Sequence, residues 1–144
     1  MIDAEILARA LEAKADALRS LLQAKVDANL SGDVLQARSG RLKAAAFVDL
    51  DADDDGFVLA AGADDVPYAA IQEYGGHTAA HDIVPVKAGA LRFAGAAGPE
   101  FARRVRHPGS TLPARAPFGA ALDALRADAA ADLKAAIRDA LDAH

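Results

Sequence analysis

The chain has no cysteine and no tryptophan, a single methionine, and an aromatic complement of five Phe and two Tyr. Without cysteine, disulfides and thiolate metal sites are excluded, which fits a reducing compartment. With so few aromatics, the 53% hydrophobic content rests largely on alanine. An alanine side chain withdraws little apolar area from water, so the core is thin. Such a composition fits long helices that pack closely and a stability that leans on partner chains. Ala-rich helices also pack well within single domains, so an ordinary monomer is the alternative. No run approaches the ~20 apolar residues that span a bilayer. The opening Met1–Ile2–Asp3–Ala4–Glu5 is acidic and lacks the basic region and apolar stretch of a secretory signal. The expectation is a protein made in the cytoplasm, with no membrane contact. At 144 residues the length corresponds to one domain, 1–144.

One sign of charge is also missing from long stretches. From Asp49 to Asp82 there are nine acids (Asp49, Asp51, Asp53, Asp54, Asp55, Asp64, Asp65, Glu73 and Asp82) and no Lys or Arg. From Lys87 to Arg115 there are six bases (Lys87, Arg92, Arg103, Arg104, Arg106 and Arg115) against Glu100 alone. The two zones either compensate within one chain or meet between neighbouring copies in a head-to-tail ring, where opposite charges steer and register the contact. On the second reading the interface residues are Arg103, Arg104, Arg106 and Arg115 on the basic side, and Asp53, Asp54, Asp55 and Glu73 on the acidic side.

Leu7, Leu11, Leu18, Leu21 and Leu22 fall on one side of a helix predicted from about Asp3 to Leu30, and Ser31–Gly32 ends it. Val34–Ala37 reads as a linker, and Ser39 as the cap of a short helix beginning Gly40–Arg41–Leu42. Phe47–Leu50 and Phe57–Ala60 alternate around Asp53–Asp54–Asp55–Gly56, the pattern of a β-hairpin. Asp64–Asp65–Val66–Pro67 reads as the start of a helix with acids at its positive end, closing at Gly75–Gly76. On that helix Tyr68, Ile71 and Tyr74 share a packing face, which leaves Glu73 exposed. Further strands are predicted at Asp82–Val86, Ala90–Ala94 and Phe101–Arg106. Pro117 opens a final helix on which Phe118, Leu122, Leu125, Ala129, Leu133, Ile137 and Leu141 recur every three or four residues. The class is α+β, with terminal helices on a mainly antiparallel sheet.

Chemistry-bearing patterns are sparse. Asp51–Ala52–Asp53–Asp54–Asp55–Gly56 matches the first half of a calcium loop, but its twelfth position is Gly62, not the required Glu, and strand follows where helix is needed. His77 and His81, with Asp82 beside them and His107 remote, have a metal-ligand spacing that is useful only on a helix, which Gly75–Gly76 has just ended. No Gly-x-Ser-x-Gly elbow surrounds Ser110, and Gly95–Ala96–Ala97–Gly98 lacks the Lys-Ser/Thr of a phosphate loop. No catalytic residue, cofactor or metal site is assigned. An α+β ligand- or metal-binding enzyme domain using Glu73, His77 and His81 is the alternative. A non-specific nucleic-acid binder using Arg103, Arg104 and Arg106 is a second, weakened by the net charge of −5 and the absence of interleaved aromatics.

Taken in order, several short motifs resemble one family. They are Ser39–Gly40–Arg41–Leu42 after a long helix, Tyr68–Ala69 leading to Glu73–Tyr74–Gly75–Gly76, and Ile83–Val84–Pro85–Val86–Lys87. Leu91–Arg92–Phe93, Val105–Arg106–His107–Pro108–Gly109–Ser110 and Pro113–Ala114–Arg115 follow before the last helix. This layout is similar to that of the tail-completion, or virion morphogenesis, family of long-tailed bacteriophages and prophages. It departs at Pro117–Phe118–Gly119, where the family commonly shows Pro-Phe-Leu. The resemblance implies a structural protein without catalytic residues or cofactor, acting where tail tube and head connector meet. It implies a homo-oligomeric ring, often sixfold, with other tail and connector proteins as partners and DNA passing through the channel. Its place would be the host cytoplasm during assembly and the tail or neck of the virion thereafter.

Overall fold

Helix α1 (Ala4–Ala28) buries Ala15, Leu18, Leu22 and Val26, a stripe spaced three and four residues apart that forms one face of the helix. Leu21 lies off that stripe and is exposed, contrary to the predicted face. The α-helix ends at Ala28 and widens into a π-turn over Asn29–Asp33, in which Gly32 takes φ +132° and Leu30 is buried. In this computed structural model residues 4–36, 39–53 and 56–142 are described. Asp3, Ala37, Asp54 and Asp55, used in the sequence reading above, lie outside them. The chain divides into two compact units, one running to Tyr74 and resuming at Ala114, the other Gly75–Pro113.

In the first unit, α2 (Arg41–Ala45) follows Gly40, whose left-handed backbone turns the chain, while Ser39 Oγ accepts from the Arg41 N–H at 3.4 Å. Strands β1 (Ala46–Asp53) and β2 (Gly56–Ala63) form the expected antiparallel hairpin, with Val48 opposite Ala61 and Leu50 opposite Leu59. Alternation sends Val48 into the core and Asp49, Asp51 and Asp53 to the other face. A side chain at Gly62 would press on the Phe47 ring at 3.1 Å. Helix α3 (Ala69–Tyr74) starts later than predicted, because Asp65 takes φ +53° and Pro67–Tyr68 form a turn closed by the Ala69 N–H on the Val66 carbonyl at 2.9 Å. The acids Asp64 and Asp65 therefore precede the helix rather than occupy its first turn. Helix α4 (Pro117–Asp142) opens at Pro117 as expected and buries Phe118, Ala121 and Leu125. Leu122, Ala129 and Leu133 pack against the same core, whereas Ile137 and Leu141 at its far end are exposed. Asn29 Nδ2 donates to the Pro117 carbonyl at 2.9 Å, tying the end of α1 to the start of α4. The fold is α+β, with two long terminal helices and small antiparallel sheets.

The second unit holds three nested antiparallel ladders. Outermost, β3 (Gly76–Thr78) pairs with β8 (Ser110–Leu112). Inside it, β4 (His81–Ile83) pairs with β7 (Val105–His107), and innermost β5 (Leu91–Gly95) pairs with β6 (Gly98–Ala102). This nesting makes the unit a single excursion of chain that returns paired with itself, an interrupted β-arm tipped by the Gly95–Gly98 turn. The predicted strand Phe101–Arg106 is split between β6 and β7, and β8 has no counterpart in the sequence reading.

Candidate assembly interface

No residue of the unit Gly75–Pro113 is buried. It exposes Ile83, Val84, Val86, Phe93, Phe101 and Leu112 instead, with Val86 at 92% and Phe101 at 66%. Isolated two-stranded ladders are marginal in water, and what normally stabilises them is a face packed against something else. On the β5–β6 hairpin, Arg92 stands directly across from Phe101 and Phe93 across from Glu100. Alternation places Phe93 and Phe101 on opposite faces, so the hairpin offers an exposed aromatic on each side.

The basic zone falls partly in this unit. Asp82 accepts from Arg104, and from Arg106 Nη1 at 3.3 Å; both arginines remain two-thirds exposed. Compensation within the chain thus accounts for part of the charge pattern, joining an acid of the acidic zone to two bases of the basic one. Arg103 is exposed on the link between β6 and β7. The unit carries five basic side chains against two acidic ones, +3, leaving −8 for the remainder of a chain whose total is −5. On the acidic side Asp53 accepts from the Gly56 N–H at 3.0 Å across the hairpin turn, while Asp54 and Asp55 are among the residues not described.

One expected interface residue takes another role. Glu73 is half-buried, and its Oε2 and Oε1 accept from the N–H groups of Phe118 at 3.0 Å and Gly119 at 2.7 Å, capping α4 from outside the helix. Tyr74, predicted to pack inward, is 81% exposed. A helix of six residues is too short to present the face that the Tyr68, Ile71, Tyr74 spacing assumed, and the unpaired N–H groups of α4 draw the carboxylate inward. The side chain of Arg115 is exposed, and the Pro/Arg turn is held through the backbone: the N–H groups of Arg115 and Ala116 both donate to the Gln72 carbonyl, at 2.9 and 3.1 Å. Neither that carbonyl nor the bond from Asn29 carries a signal in the sequence, since both depend on tertiary placement.

Within the segment His77 to His81, His77 and Thr78 pair in β3 and His81 in β4, with Ala79 and Ala80 linking the two strands. His77 Nδ1 lies 3.2 Å from Thr111 Oγ1. His81 faces His107, their rings stacked with centroids 5.0 Å apart. His81 Nδ1 donates to the Ala79 carbonyl at 3.0 Å, whereas His107 Nδ1 accepts from the Gly109 N–H at 3.0 Å. Ligation of a metal through Nε2 of His107 would require the proton to sit on Nδ1, against that donor, so the pair is poorly disposed to chelate. Among the described residues no group of three or more His, Asp or Glu side chains is arranged to hold a metal.

Searches among known protein families, curated proteins and solved structures return no match. The candidate interface consists of exposed apolar side chains on a β-arm of positive charge, with an acidic hairpin elsewhere in the chain. Among the described residues no helix is long and apolar enough to cross a membrane.

Proposed function

We propose that this chain is a structural subunit of a bacteriophage tail, completed by neighbouring chains and acting as a ring component that finishes the tail and joins it to the head connector. The observation that carries the assembly part is the β-arm Gly75–Pro113, which has no buried residue and exposes Phe93, Phe101 and Val86. A segment of this length without a core gains the burial it lacks when neighbours cover it. Its +3 balance against −8 in the rest of the chain gives copies of the protein an attractive head-to-tail orientation. The assignment to tail completion rests on the ordered motifs from Ser39–Gly40–Arg41–Leu42 to Pro113–Ala114–Arg115. Glu73, the general base of an enzyme reading, already has both oxygens engaged by the start of α4.

The test is mass measurement of the purified chain across a range of concentrations, joined to electron microscopy with and without tail tubes. Rings, or chains that become ordered on tube ends, are expected. A species that remains monomeric at all concentrations and leaves tube ends bare would end the reading.

A further inference from the structure

We infer that the β5–β6 hairpin of one copy docks, through Phe101 and Arg92, into a cavity of a second copy, between its α1 and the adjoining ends of its β1 and β2. This rests on the assembly reading above and specifies its contact. The cavity, about 250 Å³, lies within the first unit and is walled by Ala8, Leu11 and Ala15 of α1 and Phe57 of β2, with Glu12 and Asp53 also lining it. It is smaller than the ~300–1,000 Å³ of typical small-molecule sites and suits a protein side chain better. Its chemistry is apolar with carboxylates beside it. The hairpin offers the complement, because Arg92 and Phe101 are direct cross-strand partners and stand side by side on one face, with Phe101 two-thirds exposed. An aromatic enters the apolar part while the guanidinium reaches the carboxylates.

Charge selects the occupant. The unit that carries the hairpin, set against its own copy, would face +3 with +3, and the unit that holds the cavity would face −8 with −8. Only the pairing of unlike surfaces is attractive, and a contact between different surfaces of identical copies closes into a ring or runs on as a filament.

The cysteine-free sequence makes the contact directly testable. Ala8→Cys and Pro99→Cys are introduced into separate full-length preparations, Pro99 lying on the same face of β6 as Phe101. The two are mixed, oxidised and resolved without reductant. A mixed disulfide dominating over both self-products is expected, and contact within one molecule cannot produce it. Adding Phe101→Ala to the Pro99→Cys chain, or Glu12→Arg to the Ala8→Cys chain, lowers its yield about tenfold, as expected for a central interface aromatic or a reversed charge. Both positions are exposed, so circular dichroism should show the fold retained. Self-products equal to the mixed product, or a yield indifferent to both substitutions, overturns the inference. If oligomers persist by mass while the mixed disulfide is absent, the contact is wrong and the assembly reading stands. If neither oligomer nor cross-link appears, both fall.

Discussion

Glu73 shows how far a single side chain can reach. Its carboxylate satisfies two N–H groups that α4 cannot satisfy itself, across 45 and 46 residues of sequence, and sets negative charge at the positive end of the helix dipole. Glu73→Ala is expected to cost about 1–2 kcal/mol, read as a lower melting temperature, and Glu73→Gln less because one oxygen acceptor remains. Equal melting of wild type and Glu73→Ala would remove the capping role. The glycines divide by what stands next to them. A methyl at Gly109, already at φ +90°, would run into the Thr78 carbonyl oxygen, which is backbone and cannot give way. At Gly95 the obstacle is the Glu100 side chain, which can swing aside. Gly109→Ala should therefore destabilise by roughly 2 kcal/mol or more, well beyond Gly95→Ala, in chemical denaturation. Parity between the two would contradict the close approach of the β7–β8 turn to the chain after β3. Gly75 at φ +70° is the corner that the Gly75–Gly76 dipeptide predicted.

At the scale of elements, the entry into α4 is fixed by the main chain. Gln72 offers one carbonyl to two consecutive N–H groups, and Ala116 adopts φ +46° to present its own. Ala116→Pro deletes that donor and demands a φ near −65°, so a loss of about 3 kcal/mol or more is expected in thermal unfolding. Arg115→Ala, by contrast, should fall within about 0.5 kcal/mol of wild type, as should Arg126→Ala. A large effect at Arg115 would mean that its side chain, and not the backbone alone, holds the turn. What was legible at this scale follows from length. Helices α1 and α4 repeat their period over many turns, and β1–β2 alternates over eight residues per strand around a turn, so each carries its own signal. Three-residue strands such as β4 and β8 have no measurable period, and their partners lie roughly 25 to 35 residues away. The stacking of His81 on His107 and the inward turn of Glu73 were hidden for the same reason: neither is local. Of the proposed interface, the charge zones were legible as composition, whereas the partial neutralisation of Arg104 and Arg106 by Asp82 needed the β4–β7 register.

For the molecule as a whole, the contrast is between a unit that has a core and one that has none. Leu18, Leu22, Val26, Leu30, Val48, Phe118 and Leu125 exclude water in the first, while every residue of Gly75–Pro113 keeps contact with it. Opening free energy follows buried contacts, so amides of the β-arm belong at the low end of local stability and those of α1 and α4 at the high end. In the dilute full-length chain, hydrogen exchange of β3 to β8 should run orders of magnitude faster than exchange at the centre of α1. In the assembled state protection should rise selectively in β5 and β6, because burial there is supplied by another chain, and it should fall again as salt screens the contact over a Debye length of about 8 Å at 0.15 M. Strong protection of the β-arm in the monomer would mean that the arm is stable without neighbours, and an assembled state that leaves β5–β6 exchanging freely would place the contact elsewhere on the surface.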